Sequence, residues 1–100
     1  MKNKESTEPL GIKPEILLAI MIVAVYYQQR QLPLTLTSLT DGKHSKTSRH
    51  PLGLAVDIRT RDLPPNIQVV DVAKDLKARL GPHYNLIVHE THIHIAFRPV

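Results

Sequence analysis

The hydrophobic pattern of the chain changes period several times, and each change marks an element. Pro14 and Glu15 precede an unbroken apolar run from Ile16 to Tyr27. Proline suits a first helical position and glutamate its positive end, so a helix over about 14–29 is predicted. The run is apolar all round, which predicts a buried helix; a strand is the alternative for Ile20–Val25, rich in β-branched residues. Leu34-Thr35-Leu36-Thr37 alternates with period two and reads as a short strand with Pro33 at its edge. A long polar loop over 39–52 holds His44 and His50, and Leu54–Ile58 follows as a strand entered through Gly53. Pro64-Pro65 are expected to open a second helix over about 65–80. Its apolar stripe is Val69, Val72, Ala73, Leu76 and Leu80; Asp75 and Arg79 can pair across one turn, and Gly81 ends it. Tyr84–Glu90 and His92–Phe97 read as a hairpin turning around Thr91. The fold class is therefore α+β, with two helices packed on one antiparallel sheet of about four strands. Residues 1–12, polar and marked by Gly and Pro, are expected to be a flexible arm, and 13–100 a single domain.

Composition narrows the chemistry. With 100 residues, one core is the expectation. The absence of cysteine excludes a disulfide scaffold, thiolate zinc fingers, iron–sulfur clusters and a thiol nucleophile. Any bound metal must use imidazole and carboxylate. Four aromatic residues are too few for a platform that stacks single-stranded nucleic acid. The net charge of +4 is spread along the chain without a run of like charges. Its densest stretch, Lys43 to Arg61, reads either as a solvated loop surface or as an attractant for a polyanion or a substrate carboxylate. The longest apolar run falls short of the roughly 20 residues a bilayer crossing needs. Glu5, Glu8 and Glu15 beside that run, with no small-residue cleavage site after it, predict a chain without its own export signal.

The six histidines fall in two windows, His44 and His50, then His83, His89, His92 and His94. Asp57 lies between Val56 and Ile58 in an apolar strand, where a carboxylate is costly unless it meets a cation or a metal. The small residues Gly53 and Ala55 allow His50 to fold back toward it. The plain alternative is a salt bridge from Asp57 to Arg59 or a lysine. His92 and His94 are two apart on a strand and share a face, while Ile93, Ile95 and Phe97 point to the core. His89, Glu90 and Thr91 sit at the turn before them, placed to supply a supporting partner or a general base. His50, Asp57 and one of His92 or His94 would give zinc three ligands and leave a tetrahedral position open, as hydrolytic zinc requires. His44 and His83 have no role in this scheme.

The segment Ser48-Arg49-His50-Pro51-Leu52-Gly53-Leu54-Ala55-Val56-Asp57 matches the S-x-H-x-x-G-x-A-x-D motif, and His89, His92 and His94 match H-x-x-H-x-H. In these motifs the chain resembles the zinc D-Ala-D-Ala carboxypeptidase family, which includes murein LAS endopeptidases, phage endolysins and, more remotely, the zinc-bearing Hedgehog signalling domain. The match spans about residues 35–97. The resemblance implies a Hedgehog/DD-peptidase-like fold with Zn2+ held by His50, Asp57 and His94. It implies that His92 assists the transition state and that His89, or Glu90 one residue on, does acid–base work. Lys43 and Arg49 are the candidates for binding a substrate carboxylate. The implied activity is hydrolysis of an amide bond in peptidoglycan stem peptides, as a D,D-carboxypeptidase or endopeptidase of endolysin type. A monomer in a phage host's cytoplasm before release, or associated with the virion, is the matching location. The main rival is a non-catalytic zinc-binding module of the same fold. Histidine-triad hydrolases fit poorly because Ala96 stands where their third histidine belongs. A 2-His-1-carboxylate oxygenase needs more strands, and a nucleic-acid module leaves Asp57 unexplained.

Overall fold

The computed structural model describes residues 2–3, 13–38 and 55–98. Helix α1 (Pro14–Gln29) opens on the proline as expected, with Glu15 in its first turn. It ends where Gln31 takes a left-handed φ of 56°, and the Leu32 N–H closes the turn on the Tyr27 carbonyl at 2.9 Å. The apolar run is thus helix and not strand. It is buried on one side only: Ile16, Ala19, Ile20, Val23, Tyr26 and Tyr27 enter the core, whereas Leu17, Leu18, Met21 and Val25 are about half exposed. An all-apolar sequence states what can be buried, and packing uses one face of it.

The sheet contains β1 (Lys2–Asn3), β2 (Thr35–Ser38), β3 (Ala55–Arg59), β4 (Tyr84–Val88) and β5 (His92–Phe97), in the order β1-β2-β3-β5-β4. β2, β3, β5 and β4 form the expected four-strand antiparallel sheet. β1 is a fifth element that pairs parallel to β2. The expected arm thus contributes two paired residues, and the rest of 1–12 lies outside the described residues. Along β3 and β5, alternate side chains Val56, Ile58, Ile93 and Ile95 are fully buried in the cluster built with α1 and a second helix, α2 (Val69–Leu80). The opposite alternation carries Asp57, His92 and His94. A bulge in β2 sets Leu36 and Ser38 against adjacent residues of β3, Ile58 and Asp57. Such irregularities bend a strand beside its neighbour and recur next to functional groups.

α2 starts later than the Pro64-Pro65 pair suggests. The Ile67 N–H bonds the Pro64 carbonyl at 3.0 Å, forming a separate turn, and Gln68 is extended before the first helical residue, Val69. Val72, Ala73, Leu76 and Leu80 are its buried stripe, and Gly81 ends it at φ 91°. Asp75 does not serve the expected pair with Arg79. It accepts a 2.7 Å bond from the Tyr26 hydroxyl of α1, and Arg30 approaches the same carboxylate at 4.0 Å. Arg30 also lies 3.9 Å over the Tyr26 ring, so the two helices are clasped through one phenol. No helix among the described residues is long and apolar enough to cross a membrane.

Candidate metal site

Register builds the site. Antiparallel pairing sets Asp57 of β3 directly opposite His94 of β5, and Arg59 opposite His92. Directly opposed residues share a face with Cβ atoms about 5 Å apart, so Asp57 and His94 meet. His94 Nδ1 lies 2.9 Å from Asp57 Oδ1. An ionised carboxylate only accepts, so in this contact Nδ1 carries the proton and donates it. His92, two residues away on the same face, brings Nε2 to 3.7 Å from Asp57 Oδ2. Asp57 is 9% exposed as a residue, which makes these imidazoles its compensation within the strand.

Arg59 does not take the plain alternative role of neutralising Asp57. Its Nε donates to Asp62 Oδ2 at 2.9 Å, and this bond holds the Asp62 carboxyl below the ordinary aspartate range. The carboxylate in the apolar strand therefore looks toward imidazoles and not toward this guanidinium.

The turn before β5 adds a third ring. The His89 N–H bonds the His92 carbonyl at 2.8 Å and closes a two-residue loop of Glu90 and Thr91. The His89 ring stacks on His92 with centroids 4.6 Å apart and meets His94 edge-on at 6.3 Å. Thr91 Oγ1 lies 3.1 Å from His92 Nδ1, a hydrogen bond whose direction follows the His92 tautomer. Glu90 is exposed in the loop. His89, His92, His94 and Asp57 are thus one cluster, and the stacking of His89 was not readable from its spacing. His83 stands apart, packed near Phe97 at 6.5 Å.

His50 lies outside the described residues, as do Ser48, Arg49, Lys43 and His44. Among the described residues no three His, Asp or Glu groups form a metal-binding set. The Asp57–His94 pair nevertheless has the donor chemistry zinc uses. Zinc bonds of about 2.0–2.2 Å set tetrahedral ligand atoms roughly 3.3 Å apart. Opening the 2.9 Å contact by a few tenths of an ångström would seat both atoms on one ion, with the Nδ1 proton displaced. No family model, curated protein or solved structure matches the chain.

Proposed function

We propose that the chain is a zinc-dependent peptidase of the Hedgehog/DD-peptidase fold, hydrolysing an amide bond in peptidoglycan stem peptides as a D,D-carboxypeptidase or endopeptidase of endolysin type. The observation that carries this reading is the β3–β5 rung that brings Asp57 and His94 to 2.9 Å on the face opposite the helices. It joins the two motifs that suggested the family. His50, Asp57 and His94 would hold the metal, which when bound supplies a Lewis acid and an acidified water.

The chain's own residues account for the remaining work. His92, with Nε2 turned toward Asp57, donates to the substrate carbonyl oxygen as negative charge develops there. His89, stacked on His92, fixes that ring, takes the proton that the attacking water loses and passes it to the leaving amine. The stack supports His89 over Glu90 for this task. Lys43 and Arg49 remain the proposed anchors for a substrate carboxylate. The proposed state is a monomer, held in a host cytoplasm until release or carried by a virion.

The second reading is a non-catalytic zinc module of the same fold. It is favoured by the further imidazole, His92, directed at the same carboxylate, since structural zinc is normally closed by a fourth protein ligand.

Purified protein should contain one zinc per chain and release peptides from sacculi. His94→Ala should lose the metal, and His92→Ala should keep it while losing most activity, about 100-fold or more for a group of this kind. Metal-free protein from zinc-supplemented growth would sink the metal assignment. Full zinc without peptide release from any wall type would select the non-catalytic module.

A further inference from the structure

Among the described residues β4 is the outermost strand on its side of the sheet, with β5 its one neighbour. Its pairing fixes which backbone groups look outward. The His89 N–H bonds the His92 carbonyl at 2.8 Å, and the Arg98 N–H bonds the His83 carbonyl at 2.6 Å. In an antiparallel ladder, hydrogen-bonded pairs alternate with non-bonded ones. Asn85 and Ile87, opposite Ala96 and His94, therefore turn their N–H and C=O groups toward β5. Tyr84, Leu86 and Val88 turn theirs away from it. Those of Tyr84 are engaged, its N–H on the Gly81 carbonyl at 3.3 Å and its carbonyl by Lys77 Nζ. Among the described residues Leu86 and Val88 are left to present donors and acceptors along the edge.

Edge strands ordinarily carry a charge, a proline or a bulge that discourages pairing with another chain. β4 has none of these: its sequence is Tyr-Asn-Leu-Ile-Val in unbroken register, with Ile87 43% and Val88 45% exposed. Beside it runs a groove of about 320 Å3 between β4 and α2, lined by Val70, Ala73, Lys74, Lys77, Asn85 and Leu86. The apolar members form its walls, and both charged members are lysines.

We propose that this edge and groove take up an extended, acidic peptide segment of a partner protein as an added strand. The segment's main chain pairs with Leu86 and Val88, which supplies affinity. Every second side chain of the segment faces the groove; among these, apolar groups pack against Val70, Ala73 and Leu86 and carboxylates meet Lys74, with Lys77, held on the Gly81 and Tyr84 carbonyls, adding its charge beside them. A second copy of this chain is the poorer occupant. Antiparallel pairing of two β4 strands would set two α2 helices side by side on one sheet face, bringing the four lysines together. This inference stands on the sheet edge and its groove and does not depend on the metal reading.

The test is a nuclear magnetic resonance titration of the full chain with the capped heptapeptide Val-Thr-Glu-Thr-Val-Thr-Glu, whose odd positions set valine and glutamate on one face. Amide shifts should concentrate at Leu86, Val88 and Val70–Lys77, and the Leu86 and Val88 amides should gain exchange protection. The same peptide with lysine in place of glutamate and the variant Lys74→Glu should each bind at least tenfold more weakly. Val88→Pro removes an outward N–H without touching a β5 bond, and should weaken binding while leaving the dispersed spectrum of a folded chain. Absence of shifts at millimolar peptide, or equal binding of the lysine peptide, would overturn the proposal. So would a dimer in sedimentation that Val88→Pro dissolves, because the edge would then belong to a second copy.

Discussion

The two faces of the β3–β5 pair differ by a single step along the chain. Val56, Ile58, Ile93 and Ile95 point to the helices and are fully buried. Asp57, His92 and His94 point the other way, with side chains 13%, 28% and 17% exposed. The first face excludes water, whereas the second gathers polar groups around one carboxylate. The contrast explains how the site acquires its precision. Strand side chains alternate with period two, so a slip of one residue would send every core isoleucine to the polar face. Burial on the helix side therefore fixes the register that sets Asp57 opposite His94. The Asp57–His94 contact inherits its geometry from residues that never touch it.

The largest effect should come from breaking the apolar face. Ile95→Ala removes a fully buried side chain beneath both helices and should cost about 2–5 kcal/mol in urea denaturation. His94→Ala, one residue away, should cost only about 1–2 kcal/mol, because Asp57 keeps the neighbouring His92 and some solvent. Equal losses at the two positions would show that the faces are not separable.

The apolar side also holds a buried phenol, Tyr27, and it gives the next effect in size. Among the described residues the Tyr27 hydroxyl is buried without a hydrogen-bond partner, and burial pushes its pKa up to about 12. Tyr26, one residue earlier, places its hydroxyl on Asp75. A raised tyrosine pKa means that stability is fully present below the unfolded value of about 10 and is lost as pH climbs toward 12. Over that window the wild type should lose roughly 2–3 kcal/mol more than Tyr27→Phe, at about 1.4 kcal/mol per unit. At neutral pH the variant should equal the wild type or exceed it by up to about 1 kcal/mol. A clear loss at neutral pH would show that the hydroxyl has a partner after all.

Much of this arrangement was legible where a local rule governs it. Pro14 with an apolar run gave α1, and alternation at Ile93–Ile95 against His92–His94 gave the two faces of β5. The failures are places where distant contacts decide. Asp75 pairs with a phenol 49 residues away, so the helical i,i+4 rule pointed to the wrong partner. The Pro64-Pro65 pair opens a turn and not α2, since Gln68 must extend before the helix can begin. The two-residue β1 is too short to show any period. At the site, residue spacing set His92 and His94 on one face, but Asp57 and His94 are 37 residues apart. The residues alone set Asp57 beside one of His92 or His94, the family resemblance chose His94, and the His89 stack depends on ring rotation that spacing does not encode.

The smallest stability effect concerns the polar face, and it bears on why Asp57 meets imidazoles at all. Arg59 shares that face, two residues along β3, and is held by Asp62 at 2.9 Å. The Arg59 hydrogen bond lowers the Asp62 pKa, so its contribution is present above the ordinary aspartate value of 3.8 and fades as pH falls through the lower folded value. Asp62→Asn should cost about 0.2–1 kcal/mol at neutral pH, and the difference from wild type should vanish in acid. Its larger consequence should be on the carboxylate next door. A released Arg59 guanidinium can swing to Asp57 and compete with His94 for it, restoring the salt bridge that the sequence alone allowed. Zinc affinity, measured by competition with a chromogenic chelator, should fall several-fold in Asp62→Asn and recover in the double variant with Arg59→Ala. An unchanged affinity in the single variant would mean that β3 itself, and not the Asp62 clasp, keeps the guanidinium away from the site.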